Sequence, residues 1–192
     1  MILAICASIV SIVFFICMVW AVRGHFSGRV ALGMHAASAV NAAAMVWFIE
    51  ERWRVLSHLS PVPPWREAAA MAMIFVALAL FWWAVATTRR TRLTLAFSAD
   101  QPTFLVDQGP YAVVRHPFYT SYILFWIGAA IDAVSPLFWI VPIVITVLYV
   151  RAASIEERKF VRSALATRYR DYQNRTGMLL PRPWSSTQGT KR

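Results

Sequence analysis

Acidic residues and cysteine are both scarce in this chain. Its 192 residues carry nine Asp and Glu against nineteen Lys and Arg, a formal net charge of +10. The two cysteines, Cys6 and Cys17, fall within one apolar run. At ~1.5 Å rise per helical residue they are too far apart to bridge, so they read as small buried hydrophobes. No CxxC and no Cys/His spacing suits a metal, so no metal site is expected. The glycine-rich fingerprints of nucleotide folds are missing, as are HExxH and GxSxG. The N-terminus has neither a basic leading region nor a clear small-residue cleavage site, which favours a retained first span over a removable signal peptide.

What is abundant is apolar surface. The chain is 59% hydrophobic with a mean hydropathy of +0.54. A soluble domain of this size has no interior large enough for so much apolar area, so lipid must be part of its solvent. The positive charge sits at the ends of apolar runs, as membrane topology requires, and leaves no separate basic domain for nucleic acid.

The length fits a single membrane domain, residues 1–192. Residues 1–88 hold three apolar runs of about twenty residues, Ile2–Val22, Val30–Ile49 and Ala68–Thr88, each long enough to cross a ~30 Å hydrocarbon core as a helix. Pro61, Pro63 and Pro64 forbid one continuous helix between the second and third. Phe118–Val134 and Leu137–Ala153 follow, split by Ser135-Pro136, and read as two short spans or a re-entrant hairpin. The expected fold is therefore an all-α integral membrane protein of about five transmembrane helices.

The positive-inside rule orients it with the C-terminus cytoplasmic and the N-terminus on the opposite side. Inside segments then hold two, four and ten basic residues, sixteen of the nineteen, and only Arg52, Arg54 and Arg66 remain outside. Arg151–Thr176 reads as a C-terminal amphipathic helix with a basic stripe at Arg151, Arg158 and Arg162, stopped by Gly177. Residues 185–192 read as a mobile tail.

Two stretches carry chemistry. In Gly109–Tyr122, GPYAVVRHPFYTSY, Pro117 suits a first helical position and biases His116 toward extended backbone. Arg115 and His116 are thus presented at a helix N-terminus, a place that favours anions. The plain alternative makes Arg115 a topology anchor and His116 a boundary cap. Glu156 and Glu157 read as the acidic start of the C-terminal helix, returning to the same side of the membrane. Tyr111, Tyr119, Tyr169 and Tyr172 are interfacial aromatics by default. In the second span, His35, Ser38 and Asn41 suit interhelical hydrogen bonds.

The first stretch resembles the GPYxxVRHPxY signature of the isoprenylcysteine carboxyl methyltransferase family, part of the wider group of membrane phospholipid methyltransferases. The second, EERKFVRSALATRYRDYQNRTGMLLP, is similar to that family's EE…Y..Y..R…P tail. The resemblance implies transfer of a methyl group from S-adenosylmethionine to a lipophilic acceptor, with residues 109–183 as the cofactor-binding catalytic half. It implies Tyr111, Arg115, His116, Tyr119, Glu156, Tyr169 and Tyr172 around the cofactor, and Arg115, Glu157 and Arg175 as catalytic, orienting the acceptor and reacting groups. Two departures stand out: Thr120-Ser121 follow Tyr119 where many members have glycine at the second position, and Leu165-Ala166 replace a common Phe-Gly pair.

Two other readings compete. Membrane sterol reductases carry a similar RHPxY and tail-tyrosine pattern and use NADPH. A non-catalytic helical bundle that binds lipid would make every residue above an anchor. The acceptor's identity, oligomeric state and host membrane are not written in the sequence.

Overall fold

A computed structural model of the chain describes residues 2–24, 26–27, 32–57, 62–89, 93–94 and 102–182. Among them are six α-helices: α1 (Ile2–Gly24), α2 (Leu32–Leu56), α3 (Pro64–Thr88), α4 (Pro117–Asp132), α5 (Ile140–Val161) and α6 (Ala166–Arg175). Short 3₁₀ turns at Gly109–Ala112 and Pro136–Trp139 lead into α4 and α5, and Phe26–Ser27 pairs in parallel with Leu93–Thr94. The expected tail, residues 185–192, lies outside the described residues, as does Pro183.

The helices follow the apolar runs, but their ends do not. α2 continues through Glu51 and Arg52 to Leu56, and α3 begins at Pro64, where a missing N–H costs nothing. α3 and the segment Pro136–Val161 are each long and apolar enough to cross a membrane, and Ala4–Trp20 is a shorter apolar stretch. Their outward faces are apolar too. Ile5, Ile9, Ile12 and Ile16 are exposed along α1, and Phe75, Val76, Trp82 and Trp83 along α3. Helices apolar both inside and outside are at home in lipid rather than water.

The core is built on α3 and α4. Ala70, Ile74, Ala77, Phe81, Ala84 and Thr88 are buried at alternating three- and four-residue steps, the seam that lets helices pack at a shallow angle. Opposite them, Gly128 sits so close that a Cβ would lie 2.9 Å from Ile74 and 3.1 Å from the Ala70 carbonyl. Phe14, Phe81, Phe118, Phe125 and Trp126 fill the aromatic centre. Asn41 ties three helices at mid-depth: it accepts from Trp126 Nε1 at 2.9 Å and donates to Tyr149 Oη at 3.3 Å. Of the polar residues expected to bond between helices in the second span, Asn41 is buried, whereas His35 and Ser38 face outward.

At the end where α4 stops, the bundle holds a buried ionic cluster that sequence reading treats as leftover anchors. Arg52 is 3% exposed, with Nη1 2.6 Å from Asp132 and Nη2 3.8 Å from Glu67. Arg66 donates to the carbonyls of Ile131 and Ala133 at 2.8 Å each, capping α4 with positive charge.

One expectation is corrected. Arg151–Thr176 is not one helix. α5 runs on to Val161, the chain turns at residues 162–165, and α6 starts afresh. Ser163 makes the break: its hydroxyl donates to the Phe160 carbonyl at 2.8 Å and accepts from Leu165 N–H at 3.1 Å, offering the backbone partners that a continuing helix would use. Phe160 and Tyr169 then stack across the corner at 4.6 Å. Glu156 and Glu157 therefore lie near the end of α5 rather than at a helix start. Gly177 is not the helix stop either, because α6 ends at Arg175.

Candidate functional site

The site assembles where three pieces of chain meet: the turn before α4, the last turns of α5, and α6 with the strand-like run after it. His116 stands outside the helical region at φ −126° and ψ 66°, and Pro117 opens α4. Residues 114–116 use their backbone for a second purpose. Val114 forms a parallel bridge with Gly177, Arg115 N–H donates to Gly177 O at 2.8 Å, and His116 N–H donates to Met178 O at 3.1 Å. The Thr120 hydroxyl extends the seam to Leu179 O at 2.9 Å. Gly177 is required by the turn that follows the seam, since a Cβ there would lie 1.8 Å from the Leu180 carbonyl.

Arg115 is the clamp across the seam. Its Nε donates to Glu157 Oε1 at 2.8 Å and its Nη2 to Oε2 at 3.3 Å, a forked pair in which each side chain is 10% exposed. Its Nη1 donates to the carbonyls of Thr176 and Gln173. Gln173 Nε2 donates to Glu157 Oε2 at 2.8 Å, and His116 Nε2 lies 3.1 Å from Oε1. Both oxygens of Glu157 are thus committed within the protein.

Glu156 differs. Its Oε2 accepts from Tyr119 Oη at 3.2 Å and lies 3.6 Å from His116 Nδ1. No hydrogen bond to its other oxygen is found among the described residues, and Glu156 lines a cavity. The cavity, of about 80 Å³, is walled by Tyr111, Phe118, Tyr119, Phe160, Tyr169 and Tyr172, by Arg115 and His116, and by the extended run 102–106. His116 stacks on Tyr119 at 5.4 Å, which stacks on Tyr149 at 5.0 Å, so a ladder of rings fixes the wall beside Glu156.

The tyrosines have distinct anchors. Tyr172 Oη donates to the Tyr111 carbonyl at 2.7 Å, joining α6 to the Gly109–Ala112 turn. Burial pushes the phenols of Tyr111, Tyr169 and Tyr172 above their ordinary range, with neighbouring carboxylate charge adding to the rise. They stay neutral and act as hydrogen-bonding walls rather than bases.

All seven residues expected around a cofactor therefore border one cavity. Among the three expected to be catalytic, Arg115 borders it, Glu157 stands behind it as the partner of Arg115, and Arg175 is elsewhere. Arg175 is 62% exposed and donates to Asp107 Oδ2 at 2.9 Å, with Arg168 3.4 Å from the same carboxylate. Sequence reasoning missed Asp107, Gln173 and Tyr149. Asp107 stands two residues before GPY, a position with a readable charge. Gln173 and Tyr149 act through packing distances that no spacing rule reveals. Ser121, where glycine is common in similar chains, is fully buried and donates to the Phe118 carbonyl at 2.7 Å. Its hydroxyl is absorbed by the helix and stays clear of the cavity wall.

This chain belongs to the phospholipid methyltransferase family, whose model matches residues 65–168, more than half its length. The match runs from α3 through Arg115, His116 and Glu156–Glu157 into the start of α6. A comparison with individual curated proteins gives no match. Membership points to a membrane methyltransferase, and the family includes the isoprenylcysteine carboxyl methyltransferases whose signature the 109–122 stretch resembles.

Proposed function

We propose that the protein transfers a methyl group from S-adenosylmethionine to a lipophilic carboxylate, of the isoprenylcysteine kind, at the membrane–water boundary. The observation that carries this reading is the division of labour between two adjacent carboxylates. Glu157 is spent on structure, while Glu156 faces an aromatic-walled cavity. A carboxylate among tyrosine and phenylalanine rings suits a cationic ligand, through charge and through the ring faces.

When bound, S-adenosylmethionine would supply a methyl group on a sulfonium: the acceptor oxygen would bond to that carbon in line as the carbon–sulfur bond breaks, and the sulfur would leave as a neutral thioether. The chain's own residues bind, orient and keep water out. Glu156 holds ammonium or ribose hydroxyls of the donor, and Tyr111, Tyr119, Tyr169 and Tyr172 enclose it. Arg115 and His116 border the donor on the same wall, Arg115 lending positive charge beside its carboxylate while its N–H groups stay on Glu157 and the seam carbonyls. A carboxylate acceptor arrives already anionic and needs no base. This agrees with a wall whose only basic groups, Glu156 and His116, are already engaged with each other and with Tyr119.

At about 80 Å³ the cavity is smaller than the ~300 Å³ at which ligand pockets begin, so the donor enters by displacing a wall. The run 102–106 is the wall outside the named helices, tethered at its end by Asp107 to the exposed Arg168 and Arg175. In this reading Arg175 acts as the tether.

The proposal includes five crossings, with α6 and the site on the cytoplasmic side and the N-terminus opposite. α4, at sixteen residues, spans only ~24 Å, short of a ~30 Å core. Its N-terminus with Arg115 and His116 therefore sits within the interface, where a water-borne donor meets a lipid-borne acceptor.

The test is titration of the purified protein in detergent with S-adenosylmethionine and with NADPH, followed by incubation with radiolabelled donor and S-farnesylcysteine. Saturable binding of the first cofactor and label in a base-labile ester are expected. Saturable NADPH binding with no response to S-adenosylmethionine overturns the proposal.

A further inference from the structure

The outward face of α5 changes character partway along. Ile140, Ile143, Val144, Val147, Arg151, Ser154, Arg158, Val161 and Arg162 all fall within about a 100° arc at ~3.6 residues per turn. The face opposite, with Val141, Ile145, Tyr149, Ala152 and Ala153, is buried in the bundle. The first two turns of the outward face are exposed isoleucine and valine. The last three are exposed arginine, and Arg151, Arg158 and Arg162 make no ion pair or side-chain hydrogen bond among the described residues. Beside them opens a cleft of about 430 Å³, bounded by Ser154, Arg158, Val161, Arg162, Gln173, Met178 and Glu157, whose charge is matched by Arg115.

We infer that this face binds one anionic phospholipid, its acyl chains along Ile140–Val147 and its phosphate between Arg158 and Arg162 in the cleft. Two features set this apart from general anchoring at a membrane surface. Arg158 and Arg162 stand one turn apart, with Arg151 two turns before Arg158, on a single line with the apolar stripe, so one molecule meets both. The cleft also has a second wall, Gln173 and Met178, which packs against the lipid on a second side while the Gln173 amide stays on Glu157. Arginine's planar fork suits phosphate oxygens, and in an interfacial setting each contact is worth more than in bulk water. Nothing in this inference depends on methyl transfer.

The experiment uses delipidated full-length protein in neutral detergent and reads the melting midpoint with phosphatidylglycerol, phosphatidylcholine or inorganic phosphate added. Phosphatidylglycerol at a hundredfold excess over its dissociation constant should raise the midpoint by about 5 °C, and phosphatidylcholine should not. The Arg158→Gln/Arg162→Gln variant should lose that shift. A matched variant, Arg89→Gln/Arg170→Gln, with both positions exposed away from the cleft, should keep it. Native mass spectrometry should find one phosphatidylglycerol on the wild type and on the matched variant, and none on the cleft variant. Equal shifts from both lipids, equal losses in both variants, or a full shift from inorganic phosphate alone would each overturn the lipid assignment.

Discussion

Glu157 and Glu156 are neighbours of the same type, and the structure gives them opposite predictions. Glu157→Gln keeps the shape of the side chain but removes its charge. Arg115, whose side chain is 10% exposed, then keeps two backbone carbonyls and loses its only anion. Breaking a buried forked pair costs about 3–5 kcal/mol when one charge is left behind. The remaining carbonyls hold the figure to the lower end, about 3 kcal/mol. For a chain of this length that is a fall of about 6–12 °C in melting midpoint. The loss should be concentrated at the seam, so amide exchange at residues 173–179 should quicken before the rest of the bundle opens. Glu156→Gln removes a carboxylate that is 22% exposed and tied on one side only. Its midpoint should stay within about 2 °C of wild type while S-adenosylmethionine affinity falls about tenfold or more, the worth of one charge-assisted contact. Thermal unfolding, exchange and calorimetric titration on the two variants decide it. A Glu157→Gln protein with unchanged midpoint and unchanged exchange refutes the clamp. A Glu156→Gln protein with full affinity refutes the division of labour.

Other consequences are simpler to read. Tyr172→Phe removes the 2.7 Å bond to the Tyr111 carbonyl and should cost about 1–2 kcal/mol, seen as a drop of a few degrees in midpoint. Gly177→Ala puts a methyl 1.8 Å from the Leu180 carbonyl, so the turn 177–180 must rearrange and carry the seam residues 177–179 with it; cofactor binding should fall while detergent-solubilised protein stays helical by circular dichroism. The buried phenols of Tyr111, Tyr169 and Tyr172 hold their protons to higher pH in the folded than in the unfolded chain. Their contribution is fully present below about pH 10 and is lost as the unfolded state ionises above it. The midpoint should therefore be flat across pH 8–9.5 and decline beyond pH 10; a flat profile to pH 11.5 would contradict their burial.

The sequence made the membrane character and the five apolar segments legible because lipid imposes a length and a composition that single residues cannot disguise. The residues that border the cavity were legible as a set, since Pro117 fixes where Arg115 and His116 stand and topology returns Glu156 and Glu157 to them. What escaped was anything decided by distance. The break at Ser163 competes with a helical pattern that continues through it. Arg52 looks like an anchor until Asp132, eighty residues on, is found against it. Arg175 resembles a tail arginine of the family, yet its side chain leans outward to Asp107 because Tyr169 and Tyr172 take the inward face of α6.

The seam between residues 114–120 and 177–179 has a consequence for biosynthesis. Every wall of the cavity up to Phe160 can be threaded into the bilayer while the ribosome is still making α6. Arg115 nevertheless has no complete set of partners until Thr176 emerges, and the N–H groups of residues 115 and 116 find theirs only when Gly177 and Met178 follow. A chain halted at Arg175 would contain every membrane helix and no finished pocket. Closure of the seam therefore comes last, and a premature stop only a few codons inside that point would leave the helices without it.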